Sequence, residues 1–596
     1  MKTKAYSKQR KSLCTFRSLC ALCVLGLLCA LCESCTDWDD HYDANTAVTD
    51  SQHGSLWTNI EQNGQLTQFA SLLKKTGYDQ VLDQAQTYTV WAPQDNTFDY
   101  ETLMQQADDR VRQQFVENHI ARNNYPASGS INERVYMLNK KVMRFASSGD
   151  GYLMQDVSLS LPSIGSNNGT IHQLRGKVPF LQNIYESLNS EQFALDSISA
   201  YYHRFDTLVL NEQMSVQGPA VNGEITYLDS ILDERNELYT RFRAYINRED
   251  SSYTMLMPTN AAWHKAKEHL RAYFCYTPQM KIYRNASEKT DTTIRITDPA
   301  GLQDSLATVY LMRDLFFNNR LYDNKHLASL AQGTVLQCDS LVSTGGTVTK
   351  DSPYQPFAAD MFRNAIRVDK SNGAIWVTDT LCQASWLTWC PPSRIEAESS
   401  FYLAGYTNTA GDAAPTANRT RITAENKNPA VEGTVSGGRY LEVEPSSQRI
   451  NQSVTFSLPQ VRSTTYHIYV TVPPAHIANT YMTDVLPQRM MATMVYSNVN
   501  ESSKRMELKE TQLVNPSDGT NYYLNDITRV DTLDLGEFTF PSSYVGLGDA
   551  TPYIRFDSRP RTGHDHTMRF DCIYLIPKEL DDFLKAHGLN LSAITW

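Results

Sequence analysis

His564-Asp565-His566 sets two imidazoles two residues apart, the spacing at which a regular strand would turn both toward one metal ion. Gly563 and the polar neighbours read as a loop instead, so the pair is expected in solvent. Beyond residue 35 the thiols are Cys275, Cys338, Cys382, Cys390 and Cys572, scattered and odd in number, unlike a disulfide framework or a zinc site. Cys382 and Cys390 could bridge in an oxidising compartment; buried thiols are the expected state. Cys20-x-x-Cys23 and Cys32-x-x-Cys35 have metal-like spacing but lie inside or at the end of an apolar run, which robs that spacing of meaning. No HExxH, Gly-x-Ser-x-Gly, Walker or dinucleotide-binding sequence occurs. Among 65 acidic residues some carboxylate pairs are inevitable, and nothing isolates one as an acid–base couple. The chain reads as a non-enzyme.

The amino terminus says where such a chain works. Lys2, Lys4, Lys8, Arg10, Lys11 and Arg17 precede an apolar run from Leu19 to Cys32, and Glu33-Ser34-Cys35 follows. The run falls short of the roughly 20 apolar residues that span a bilayer. A cationic start, a short apolar stretch and a small residue before a cysteine describe a secretory signal and resemble a bacterial lipoprotein signal. The resemblance implies residues 1–34 as signal peptide, cleavage before Cys35 and lipid on its thiol and new amino group. Glu33 departs from the small residue usual there, which leaves Cys32 or Cys29 as alternative acceptors, and a retained signal-anchor as another outcome. The acidic tether over 35–50, with Asp37, Asp39 and Asp40, resembles the export tag of surface lipoproteins in the Bacteroidetes, implying an outer-membrane protein that faces outward. Loss of residues 1–34, with six basic groups and Glu33, moves the formal charge from −11 to about −16. Such a body repels phosphates, so nucleic acid is not an expected partner. No later apolar run approaches membrane-spanning length.

The elements that would position any site are announced by a repeat. Tyr88-Thr-Val-Trp-Ala-Pro93-Gln-Asp-Asn-Thr-Phe98 aligns without a gap on Tyr253-Thr-Met-Leu-Met-Pro258-Thr-Asn-Ala-Ala-Trp263. Each copy predicts an alternating strand, a break at proline, and a helix capped by Asp95 and Asn96 or by Thr259 and Asn260. The closing aromatic is expected to pack that helix on the sheet. Asn168-Gly169-Thr-Ile171-His is echoed by Asn372-Gly373-Ala-Ile375-Trp, a tight hairpin with glycine at positive φ. Helices are expected over Leu56–Leu73 and Val111–Asn123. The two motifs, twice and in order, resemble the signature segments of the fasciclin domain. Two α+β copies are implied, at 50–188 and 189–390, the second enlarged partly by Asn285–Thr297, a solvated loop or hairpin. The resemblance implies a module of adhesion and binding rather than catalysis.

Near Pro391-Pro392 the pattern turns to short alternating strands separated by turn residues, which predicts an all-β sandwich over 391–596. Arg394-Ile-Glu396-Ala-Glu398 and Met568-Arg-Phe-Asp571-Cys-Ile-Tyr-Leu-Ile-Pro577 resemble the first and last strands of a galactose-binding-like jelly roll, a superfamily rich in carbohydrate-binding modules. The resemblance implies Glu396, Glu398 and Asp571 as ligands of a structural calcium ion. Tyr402, Tyr406, Tyr522 and Tyr523 lie in polar surroundings and could stack on a sugar, or pack half-buried; no tryptophan occurs between 391 and 595. Asp-(Ser/Thr)-apolar triplets such as Asp206-Thr207-Leu208 resemble an O-glycosylation sequon of exported Bacteroidetes proteins. The reading is a multidomain, non-catalytic surface lipoprotein for adhesion or ligand capture, an accessory to a TonB-dependent (SusC/SusD-like) uptake system. The alternatives are a glycan-binding protein with its site in the C-terminal sandwich and a structural subunit of a transporter complex.

Overall fold

The computed structural model describes residues 50–51 and 54–596, apart from 150, 190–191, parts of 211–231, 287, 335–339, 351–360, 382, 409–413 and 448–449. Cys35 and the whole signal segment lie outside the described residues, as do Cys338 and Cys382. The chain divides into two compact units, Met1–Leu181 and Gln182–Trp596.

In the first unit the strand Tyr88–Pro93 is buried along its whole length, because layers cover both of its faces. Alternation of polar and apolar side chains therefore does not apply to it. It runs parallel to Gly169–Leu174, from Tyr88 opposite Gly169 to Pro93 opposite Leu174, and antiparallel to the short strand Ile120–Arg122. On one side Leu56, Ile60, Phe69, Leu73, Val90, Phe115 and Val116 form a core. Helix Thr67–Thr76 supplies Phe69, Ala70, Leu72 and Leu73 to it from one face. On the other side Trp91, Val135, Met143 and Phe145 form a second core beneath the strands from Asn132–Tyr136 to Val157–Ser166. The helix expected over 111–123 is cut short. Helical turns end at His119 and the chain enters the strand Ile120–Arg122, pairing with Tyr88–Val90.

The second unit repeats the central pairing. Tyr253–Pro258 is buried throughout, runs parallel to Gly373–Thr378 from Tyr253 opposite Gly373, and is antiparallel to Phe316–Asn318. The segment 285–297 is the far half of a hairpin, Gln279–Asn285 against Thr290–Arg295. One part of this hairpin is not solvated: Lys281 N–H donates to Ser497 Oγ at 2.9 Å, and Tyr283 packs on Tyr553 at 5.3 Å between ring centroids.

Beyond residue 391 most pairing is antiparallel and sheets dominate. One sheet orders Ser393–Glu396, Cys572–Pro577, Thr465–Val472 and Asp531–Thr539; a second orders Leu403–Asn408, Gln452–Ser457, Tyr553–Ser558, Arg489–Val499 and Met506–Gln512. Ile395, Ile468 and Ile573 of the first and Val454, Phe456 and Phe556 of the second belong to one apolar core, which continues into Met255, Trp263 and Phe316. Helix Lys578–Ala586 packs Leu580 and Leu584 with Ile576 and Ile594. No helix among the described residues is long and apolar enough to cross a membrane.

Candidate functional site

Ser393–Glu396 pairs with Cys572–Pro577 so that Glu396 stands opposite Cys572. Asp571 occupies the single-residue break between Met568–Phe570 and Cys572–Pro577. Its N–H donates to Thr471 O at 2.9 Å, and its carbonyl accepts from Ala397 N–H at 2.8 Å. At that break strict alternation fails, so the side chains of Asp571 and Cys572 reach the same place. Ligand atoms of Glu396, Asp571 and Cys572 all lie within 4.8 Å of one another. Ser436 N–H donates to Asp571 Oδ1 at 2.9 Å and its hydroxyl to Glu396 Oε1 at 3.0 Å. The Cys572 thiol donates to Glu396 Oε2 at 3.1 Å, and Arg394 Nε lies 2.8 Å from Glu396 Oε1.

Charge is out of balance here. Burial, with the charges of Glu396 and Glu398 added, lifts the Asp571 carboxyl to about 7 against the pull of the Ser436 N–H. Burial and Asp571 push the Cys572 thiol upward. Burial and then Glu396 raise Glu398, whose Oε2 is buried without a hydrogen-bond partner among the described residues. Three clustered carboxyls, one buried and two partly buried, with Arg394 on Glu396, Arg419 and Arg439 near Glu398 and one orphaned oxygen, form a donor set of the kind that suits a hard divalent cation. The structure thus brings Glu396 and Asp571 together, leaves Glu398 just outside that tight set, and adds Cys572. The thiol is a poor calcium ligand and serves as a hydrogen-bond donor.

The four tyrosines do not form one platform. Tyr406 is 37 % exposed on the edge strand Leu403–Asn408, and Tyr402 is half-buried beside the core. Tyr522 carries the Arg489 guanidinium 3.5 Å over its ring, three strands away along the sheet. Tyr523 is only 1 % exposed and donates to Leu535 O, because its strand turns it inward; it cannot present a face to a ligand. His564-Asp565-His566 lies in a loop, where Asp565 pairs with Arg569 at 2.6 Å. Cys390 is a buried free thiol.

Two arrangements go beyond what the sequence shows. His467 is gripped by Asp534 at Nε2, 2.6 Å, and Asp581 at Nδ1, 2.9 Å, partners 67 and 114 residues away. The second concerns the Asn-Gly motifs. Asn168 Nδ2 donates to Leu82 O and Gln84 O while its Oδ1 accepts from Leu56 N–H. Asn372 Nδ2 donates to Ile246 O and Arg248 O while its Oδ1 accepts from Ile184 N–H. The hairpins are those the sequence predicts, and the same side chain ties each to the chain entering its sheet.

Residues 64–176 match the family model described as the fasciclin domain. No curated protein matches the chain. Among solved structures, a fasciclin domain pair from the insect cell adhesion molecule fasciclin I is 12 % identical, over 55 % of this chain and 99 % of that one, with a TM-score of 0.20. A Paenibacillus xanthan lyase is 14 % identical over 34 % of this chain, which spans 15 % of the lyase, with a TM-score of 0.19. A Clostridium thermocellum endo-1,4-beta-D-xylanase with CBM22-1 and GH10 modules, complexed with xylohexaose, is 10 % identical over 31 % of this chain and 28 % of its own, with a TM-score of 0.18. Residues 64–176 are therefore a fasciclin domain, a module that is typically non-catalytic.

Proposed function

We propose that the chain is a non-catalytic outer-membrane lipoprotein, tethered through an acylated Cys35, that captures a ligand or partner at the cell surface. The observation that carries this reading is the fasciclin domain at 64–176. The recurrence of its strand register at Tyr253–Pro258 and Gly373–Thr378 supports a second copy within 189–390. A lipid-anchored pair of such modules, followed by a galactose-binding-like jelly roll over 391–596, is a contact device. An accessory place beside a TonB-dependent (SusC/SusD-like) transporter pair fits it. Glu396, Glu398 and Asp571 would hold a structural calcium ion that offsets their mutual repulsion at the joint between the first and last strands. Metabolic labelling with a fatty acid, followed by surface proteolysis of intact cells, tests the anchor and its direction. Label lost on Cys35→Ala, and digestion without lysis, are expected; an unlabelled or protected protein overturns the reading.

A second reading, a surface glycan-binding protein, draws support from aromatic side chains left in solvent in the C-terminal third, Phe401 at 77 % and Tyr481 at 92 % exposure. Affinity electrophoresis of the whole chain through a polysaccharide panel tests it, and unretarded migration on every glycan would exclude it.

A further inference from the structure

Within residues 182–596, Trp386, Leu387, Pro391, Pro392, Arg313 and Trp596 line one open groove of about 400 Å³. A space of this size holds a small ligand or a few linked rings rather than a folded partner. Its two indoles are braced from behind. Trp386, on the short helix Ser385–Thr388, packs on Phe583 of the C-terminal helix at 5.1 Å between centroids. Trp596, 39 % exposed, rests on Tyr574 at 5.1 Å, with the Arg394 guanidinium 5.7 Å from its ring. Both rings are held by protein rather than by whatever enters the groove, so a ligand meets surfaces that are already ordered. Pro391 and Pro392 add a wall that lacks backbone donors.

The polar side of the groove is cationic. Arg313 ends the helix Pro299–Met312, and its Nη2 is fixed by the Gly345 carbonyl at 3.1 Å. Its nearest carboxylate, Asp314, stands 3.9 Å away and is buried, with Ser343 as its hydrogen-bond donor. The guanidinium is 41 % exposed and only loosely paired with Asp314, which leaves it able to form a charge-assisted pair with a ligand carboxylate against the general repulsion of an acidic chain. Flat indoles favour the C–H faces of pyranose rings. The geometry points to this groove as a binding site for an acidic saccharide, a chain of uronic acid residues. The inference rests on the capture reading and names its ligand class and place.

The test uses the full chain in detergent, with polygalacturonate as probe, dextran as the neutral arm and polyglutamate as the acidic-peptide arm. Retardation by polygalacturonate with quenching of tryptophan fluorescence is expected, and little response to dextran. Trp596→Ala and Arg313→Gln should each weaken binding about tenfold at a temperature where both variants remain folded by circular dichroism. Val514→Ala, an exposed residue in the same third of the chain but outside the groove, should bind as the parent does. Absence of polygalacturonate binding, or binding indifferent to both groove variants, overturns the assignment. Equal retardation by polyglutamate also overturns it, by giving the groove to an acidic peptide. Binding of another glycan that Trp596→Ala leaves intact refutes the groove while sparing the capture reading.

Discussion

His467 lies between carboxylates of two different elements, Asp534 on one strand and Asp581 on the C-terminal helix, and stacks on Tyr469 at 4.4 Å. Burial alone would lower this imidazole, but the two carboxylates outweigh it and hold its pKa up at about 9. Asp581 answers in kind: burial would raise it, and His467 with Lys585 bring it down to about 2. The imidazolium therefore contributes stability that is complete below about pH 6.5 and lost as pH rises through about 9. His467→Gln should cost about 1–3 kcal/mol near neutrality, and the parent's extra stability over the variant should vanish at pH 10. Paired denaturant melts at several pH values measure this; a constant difference across the range would refute it. Asp571 supplies the opposite case, an anion made unwelcome by neighbouring anions. Asp571→Asn keeps an acceptor for the Ser436 N–H and removes one charge. In chelator the variant should melt above the parent, and millimolar calcium should raise the parent alone. Equal calcium responses would remove the site.

Glycine at 169 and 373 shows how an element is fixed by one missing atom. A Cβ at Gly169 would stand 1.8 Å from the Tyr88 carbonyl oxygen, and one at Gly373 the same distance from that of Tyr253. Both glycines also lie at positive φ, +150° and +139°. Gly169→Ala or Gly373→Ala must therefore push the two parallel strands apart, costing about 3 kcal/mol or more by thermal or urea unfolding. A neutral substitution at either position would contradict the pairing. This part of the fold was legible, since Tyr-strand-Pro and Asn-Gly recur in order and the structure pairs them in the same register. Of the polar residues after the proline, Thr259 caps the helix that follows, as its sequence position implies, with its hydroxyl accepting from Ala262 N–H; Asp95 and Asn260 do not cap the helix after them. Asp95 accepts from Thr67 and Gln68 N–H groups, and Asn260 from Ser197 N–H, so each caps a helix upstream rather than the one that follows. A cap reads in sequence as local, and here tertiary placement brings a distant helix end closer. Asp95→Ala should cost about 1–2 kcal/mol through that upstream helix, seen as faster amide exchange over residues 67–70. Cys572 was missed for a related reason: adjacent residues diverge in an unbroken strand, and only the break at Asp571 lets both side chains meet. The tyrosines were half legible, because polar neighbours in sequence do not tell which side of a strand faces the core.

At the scale of the molecule, the change of pattern at Pro391-Pro392 marks a change of architecture without a gap in the core of residues 182–596. Backbone groups are exchanged across it: Ser463 N–H donates to Tyr273 O at 3.0 Å, and Ser543 N–H to Cys275 O at 2.8 Å. Tyr276 donates its hydroxyl to Val545 O at 2.6 Å, and the Arg462 guanidinium lies 5.2 Å from the Tyr310 ring. Glu579, at the start of the C-terminal helix, is held down to about 2 chiefly by His269, with Ser385 and Tyr273 adding hydrogen bonds against the cost of burial. Packing of Leu306 and Leu302 against Gly546 closes the seam. Residues 391–596 expressed alone would lose the packing of Tyr283 on Tyr553 and of Leu302 and Leu306 on Gly546, leave Val545 O and Ser543 N–H without Tyr276 and Cys275, and strand Glu579 without His269 and Tyr273. Apolar surface uncovered on that scale destabilises a domain and invites dye binding. The fragment 182–596 should unfold in one cooperative transition by calorimetry, while 391–596 should bind a hydrophobic dye and melt lower or without a sharp transition. Equal melting temperatures for the two fragments would show that the β-rich third folds independently and that these cross-contacts contribute little. The same outcome decides how capture is tested: if the third needs its neighbour, only a protein containing both halves presents Arg313, Trp386 and Trp596 in one groove.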